Sequence, residues 1–309
     1  MRRTRAWRAF SRTCDDRARS FWYNTDAKMK TYDFAFSLGF SCGTSQALRA
    51  AGLQFASYPL DWVGSPGVAE SAQVVADRFR GWMEAEDLQL WDVRHGVGFC
   101  TRIYRNRKNL IGFSHEFSDF IPFSESYPKA RETYDRRVER FLERLDAAGK
   151  VLAVFLELPF RECAPAKTLD RALSILRGAF PGKEFELLYF YEDPSRKVPA
   201  VVTEGGGVTV VAADYRKFDE GEITHFVEFA PLAEYLRSNV SVPDTRTEEE
   251  KSAFSAKARG DDSWRWGVGA SPLRRWWNQR LYKLYRSLEK VLRRRGMVHR
   301  EGPLWFVDR

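Results

Sequence analysis

Between residues 150 and 215 apolar segments alternate with an amphipathic one, and this alternation limits the fold more than any other feature of the sequence. VLAVFLEL begins at Val151, EFELLYFY at Glu184 and GVTVVAA at Gly207. TLDRALSILRGAF, between the first two, has its apolar residues at helical spacing. Apolar strands separated by helices predict a parallel sheet that is covered on both faces. The predicted fold class is therefore α/β, three-layer, with a mostly parallel central sheet and helices on both faces.

The first half of the chain fits the same pattern less regularly. YDFAFSL, from Tyr32, alternates as a strand does, and GTSQALRAAG predicts a helix that ends at Gly52. A turn-rich loop and a helix over about 67–84 follow. Short strands are expected within 88–114. SYPKARETYDRRVERFLERLDAAGK has a strong helical period and ends at Gly149.

Charge divides the chain into segments. The net charge is +8, but the first twenty residues hold seven arginines against two aspartates, and residues 271–300 hold ten Lys/Arg and one Glu. The basicity therefore belongs to the ends. The predicted organisation is a basic arm over 1–30, an α/β domain over 31–240, a polar linker over 241–270 and a basic tail over 271–309.

The basic tail carries apolar residues at helical spacing, which predicts a C-terminal basic amphipathic helix. These residues are Trp277, Leu281, Leu284, Leu288 and Val291. Such a helix is typical of contact with an anionic membrane surface, here through residues 271–300, or it docks on the α/β core. Both alternatives stay open. Charge alone is compatible with nucleic acid, but the sequence has no recognised nucleic-acid-binding signature, so we do not expect that partner.

Cysteine usage and the absence of targeting signals bear on the compartment. The N-terminus has no apolar export segment, and no stretch approaches the roughly 18 apolar residues that span a bilayer. The four cysteines are far apart, at positions 14, 42, 100 and 163. We therefore expect reduced thiols, no metal and no cofactor. The predicted location is the cytoplasm, with peripheral membrane contact if the tail binds a bilayer.

Cys42 stands where a strand gives way to a helix, in FSLGFSCGTSQALRAAG. Unpaired N–H groups and the helix dipole at such a position favour a thiolate, and the N–H groups also suit an oxyanion. Gly39, Ser41 and Gly43 make up the turn and are candidate binding residues. Strand, tight turn, nucleophile and helix form a nucleophile elbow. The alternative is that Cys42 is a small buried hydrophobe.

A nucleophilic cysteine needs a base and a carboxylate that orients it. Of the four histidines, His115 is the candidate base because it follows an apolar run in LIGFSHEFSDF. Asp61, in YPLDW, orients His115 or binds substrate, or else it caps the next turn while Trp62 packs. Trp62 is a further candidate binding residue. The other candidates for the third catalytic residue are Asp119, Asp193 and Asp214.

These segments resemble the bacterial family labelled putative papain-like cysteine peptidases, a domain of unknown function. The resemblance covers about residues 33–160. It rests on Ser-Leu-Gly before Cys42, the SYPLDW segment, and FSHEF followed by the Arg-rich helix. The residues that match the family pattern are Ser37, Leu38, Gly39, Cys42, Leu48, Gly52, Leu53, Ser57, Tyr58, Pro59, Asp61 and Trp62. Leu60 replaces the family's phenylalanine, and Glu116 replaces an aspartate.

The resemblance implies a thiol hydrolase with Cys42 as nucleophile and His115 as base, acting on a peptide, amide or ester. Papain-type enzymes are α+β with an antiparallel barrel, whereas the alternation here predicts parallel units. The resemblance therefore concerns the order of Cys and His along the chain. Two alternatives stay open. One is a non-catalytic α/β module held at an anionic membrane or glycan surface by its basic ends. The other is an SGNH-like esterase that uses Cys42 or Ser41 with Asp219 and His225.

Overall fold

A five-stranded sheet forms the centre of the protein. The computed structural model describes residues 29–40, 42–96, 99–117, 122–159, 161–215, 229–248, 251, 298–301 and 304–307. The sheet contains β2 (Phe34–Ser37), β7 (Lys150–Leu156), β8 (Glu184–Glu192), β9 (Ala200–Gly205) and β10 (Val208–Ala213). The strand order is β2-β7-β8-β10-β9, and every neighbouring pair is parallel except β10 with β9. The parallel sheet predicted from the sequence is confirmed.

In the described part of the chain, five α-helices cover both faces of this sheet. They are α1 (Cys42–Ala50), α2 (Val68–Ala76), α3 (Phe123–Ala147), α4 (Ala166–Ala179) and α5 (Ala230–Asn239). The apolar faces of α1 and α5 pack on one side of the sheet. Those of α2, α3 and α4 pack on the other side, where Phe141 contacts Phe34 and Phe36. The three-layer α/β arrangement is therefore present.

A smaller antiparallel sheet is inserted between β2 and β7. Its order is β3-β6-β5-β4, formed by β3 (Val63–Gly64), β4 (Leu88–Gly96), β5 (Phe99–Asn106) and β6 (Gly112–Phe113). Two 3₁₀ helices, Pro59–Trp62 and Ala85–Asp87, lead into β3 and β4. The short strands expected within 88–114 are thus β4, β5 and β6. This insertion brings the His115 segment back towards β2.

Two small sheets complete the described structure. β1 (Lys30–Thr31) pairs in parallel with β11 (Val240–Ser241), and β12 (Val298–Glu301) pairs with β13 (Leu304–Val307). The helix predicted over 67–84 ends at Ala76, because Arg78 and Phe79 have left-handed φ angles. The predicted C-terminal amphipathic helix lies outside the described residues. No helix among the described residues is long and apolar enough to cross a membrane.

Candidate active site

Cys42 begins α1 directly after a constrained turn at the carboxyl end of β2. Gly39 has φ +90° and Phe40 has φ +59°, a left-handed value that is costly for a residue with a side chain. The turn is fixed on both sides. The Gly39 N–H donates to the Ser37 hydroxyl at 2.9 Å, and the Thr44 hydroxyl donates to the Gly39 carbonyl at 2.9 Å. Strand, strained turn and helix therefore occur in the order that a nucleophile elbow requires.

The Cys42 thiol is half-buried, and burial raises its pKa. The protonated thiol is therefore favoured in the resting protein, although a helix N-terminus by itself would favour the thiolate. Among the described residues no hydrogen bond joins the sulfur to an imidazole. A reaction at this thiol therefore needs a base that removes its proton.

Asp61 lies in the 3₁₀ helix Pro59–Trp62 and is fully buried. Its Oδ2 accepts hydrogen bonds from the Tyr58 N–H at 2.7 Å, Gln54 Nε2 at 2.5 Å and Arg49 Nη2 at 3.5 Å. Its Oδ1 is buried without a hydrogen-bond partner in the described part of the chain. Burial raises the pKa of Asp61 to about 6, despite the opposing charge of Arg49. The carboxyl group thus fixes the turn by capping it.

Trp62 connects this turn to His115. The Trp62 ring centroid is 6.1 Å from that of His115, in an edge-to-face arrangement, and the Arg49 guanidinium lies 5.2 Å over the same tryptophan ring. His115 is exposed, and its backbone N–H donates to Glu116 Oε2 at 3.0 Å. Ser45 of α1 donates to the Asp61 carbonyl at 3.2 Å. The structure therefore brings α1, the Asp61–Trp62 turn and the His115 loop together.

These features lie within a segment that matches a known family. Residues 33–165 match the family model described as Putative papain-like cysteine peptidase (DUF1796). The match spans β2 to β7 and contains Cys42, Asp61, Trp62 and His115. No curated protein and no solved structure matches the chain. The family resemblance seen in the sequence is thereby confirmed for this segment.

The remaining candidate acids either make other contacts or lie outside the described residues. Asp193 accepts from the Ser195 N–H at 3.0 Å and from its hydroxyl at 2.6 Å, which lowers the pKa of Asp193. Asp214 pairs with Lys197 at 2.5 Å. Ser41, Asp119, Asp219 and His225 lie outside the described residues. Gly43 is buried in the first turn of α1, and no group of three metal-ligating side chains occurs among the described residues.

Sequence reasoning missed Glu157, a carboxylate at the carboxyl end of β7, the strand beside β2. Its side chain is buried, and its Oε2 accepts from the Tyr189 hydroxyl at 2.8 Å. Arg161 Nη1 lies 3.7 Å from Glu157 Oε1, and the same guanidinium lies 5.4 Å over the Phe40 ring of the Cys42 turn. Its place directly after the VLAVFL strand was the available signal, because sites gather at such strand ends. Glu157 ties β7 and β8 to the Cys42 turn.

Proposed function

We propose that this protein is a thiol hydrolase of the peptidase class, with Cys42 as nucleophile and His115 as general base. The observation that carries the proposal is the position of Cys42. It is the first residue of a helix and follows a strained turn at the carboxyl edge of a parallel sheet, where catalytic residues of α/β proteins gather. The match of residues 33–165 to a family described as cysteine peptidases supports the same chemistry.

The reaction proceeds through an acyl-enzyme. The imidazole takes the thiol proton, and the thiolate attacks the carbonyl carbon of an amide or ester, forming a C–S bond. N–H groups in the first turn of α1 stabilise the resulting oxyanion. Collapse breaks the bond to the leaving amine or alcohol, which receives the proton from the imidazolium. Water then cleaves the thioester, which releases the carboxylic acid and restores the thiol.

Because burial raises the pKa of the Cys42 thiol, the proposed role of His115 is to remove the thiol proton. Because burial raises that pKa, little thiolate exists near neutral pH without a base. The imidazole of His115 is exposed beside Trp62, so it is accessible to a substrate that enters over that ring. We propose that the thiol and the imidazole come within hydrogen-bond distance when an electrophile, whether substrate or alkylating reagent, enters over Trp62, since such contacts often tighten only in the complex.

Alkylation by iodoacetamide tests this proposal, with each cysteine followed by peptide mass spectrometry. Cys163 is the internal control, because it is also half-buried and burial also raises its pKa. We expect Cys42 to react at least tenfold faster than Cys163. H115Q should slow the alkylation of Cys42 at pH 7 and leave the alkylation rate of Cys163 unchanged. Equal rates at the two cysteines, or a Cys42 rate that is indifferent to H115Q, would instead favour a binding module with an inert thiol.

A further inference from the structure

Five arginines from three parts of the chain converge on residues 55–61, the segment that leads into the candidate site. Arg49 Nη2 donates to the Ser57 hydroxyl at 2.9 Å, and Arg140 Nη1 donates to the Ser57 carbonyl at 3.0 Å. The guanidinium of Arg246 lies 4.5 Å over the Phe55 ring. The five residues, called the arginine cluster below, are Arg49 on α1, Arg137, Arg140 and Arg144 on α3, and Arg246 after β11.

Acidic side chains balance only part of this charge. Asp61 is bonded to Arg49, and Asp244 forms an ion pair with Arg246 at 2.9 Å. Glu116 Oε1 accepts from the hydroxyl of Tyr134, the residue over whose ring Arg137 lies, at 2.7 Å. Within the part of the chain that the structure describes, five guanidinium groups thus lie near these three carboxyl groups. The excess positive charge creates a potential that attracts anions.

Arg137, on α3, lies near enough to Asp61 and Tyr134 to interact electrostatically with both side chains. Its guanidinium lies 4.8 Å over the Tyr134 ring, and its charge lowers the pKa of both Tyr134 and Asp61 against the effect of their burial. Its Nη1 is buried and has no hydrogen-bond partner in the part of the chain that the structure describes. A buried donor without an acceptor is costly and rare in folded proteins. An incoming anionic oxygen would satisfy it.

We propose that Arg137, with Arg49 beside Trp62, binds a carboxylate of the substrate, which makes this site selective for acidic peptides or acyl chains. Guanidinium groups suit this role because they bind carboxylates through two parallel hydrogen bonds. The inference rests on the proposed function, since it places the bound anion relative to Cys42. Cys42 and Arg49 are seven residues apart on α1, so they share a face and lie roughly 10 Å apart along the helix axis. That separation corresponds to about three residues of an extended peptide.

Comparison of two alkylating reagents tests the charge preference. Iodoacetate carries a carboxylate, and iodoacetamide is its neutral analogue, so the ratio of their rates at Cys42 cancels any change in the pKa of the thiol. A positive charge roughly 10 Å away raises the rate of the anionic reagent about twofold at low salt. We expect R137Q to lower the iodoacetate/iodoacetamide ratio at Cys42. R136Q is the matched control, because Arg136 is the neighbouring, exposed arginine that pairs with Glu132.

The C42A variant has no thiol at the site, so it allows anion binding to be measured separately from alkylation. We expect N-acetylglutamate to raise the Tm of C42A in a saturable way, and N-acetylglutamine at the same ionic strength to leave it unchanged. In the C42A background, R137Q should abolish the Tm rise, whereas R136Q should preserve it. If R137Q does not fold, R137K takes its place in the experiment. Inorganic phosphate is the second anion, and stabilisation by phosphate alone would overturn a carboxylate site. Equal Tm shifts with both acetylated amino acids would also overturn it. If iodoacetamide spares Cys42 while this Tm rise persists, the hydrolase proposal fails and the anion site stands.

Discussion

Replacing Asp61 with asparagine should change how the stability of the protein depends on pH. All three hydrogen bonds to Asp61 go to Oδ2, and Oδ1 is buried without a partner among the described residues. A proton on Oδ1 is compatible with all three bonds, whereas ionisation leaves an unpaired anionic oxygen in the interior. In D61N the amide oxygen can accept the same three hydrogen bonds. The D61N variant therefore keeps the hydrogen bonds of the turn but has no ionisable group at this position.

The magnitude follows from the pKa of Asp61, which burial raises from 3.8 to about 6. The folded state holds its proton over this interval and the unfolded state does not, so the wild-type free energy of unfolding falls as pH rises from about 4 to 6. At 1.36 kcal/mol per unit the loss is about 3 kcal/mol. The stability of D61N relative to wild type should increase by most of that amount between pH 4 and 7.

Urea unfolding of wild type and D61N at several pH values measures this difference. D87N is a control of opposite sign: Lys108 and Arg107 lower the pKa of Asp87, so below about pH 4 the wild type gains stability relative to the variant as pH rises. D61A should lose about 3 kcal/mol of unfolding free energy near pH 4, because it leaves the buried Tyr58 N–H and the Gln54 amide without an acceptor. Parallel pH profiles for wild type and D61N between pH 4 and 7 would refute the reasoning.

Three further substitutions test the turn, the core and the sheet edge by denaturant unfolding. G39A should cost about 1–2 kcal/mol, because φ is +90° there and a Cβ would lie 3.5 Å from the Leu60 carbonyl; G178A, on α4 in open space, should be neutral or stabilising. F141A should lose about 3–5 kcal/mol of stability, because its buried ring contacts Phe34, Phe36 and further aromatic rings. Y189F should cost about 1 kcal/mol or more, since it removes the hydrogen bond to the buried Glu157, and an unchanged midpoint would show that the bond is dispensable.

The parallel half of the fold was predictable because its strands are buried on both faces. β7 and β8 appear in the sequence as continuous apolar runs, and the helix between them has one apolar stripe. β9 was missed for the opposite reason. It is an edge strand whose residues are mostly exposed, so its sequence has no core pattern to detect.

The site was only partly predictable, because its contacts join residues that are distant in sequence. The position of Cys42 follows from local turn chemistry, and the SYPLDW segment marks a second turn. That Gln54 and Arg49 hold the Asp61 carboxylate, or that Arg137 approaches it from α3, depends on packing that no local pattern records. Likewise the approach of His115 to Trp62 requires the antiparallel insertion to fold back across β3.

The pairing of β1 with β11 has a consequence for how this domain connects to the rest of its chain. Lys30 lies opposite Val240 in register, so the two ends of the segment 30–240 lie side by side. A folded segment whose two ends lie side by side can be inserted into a loop of a host protein without stretching either connection.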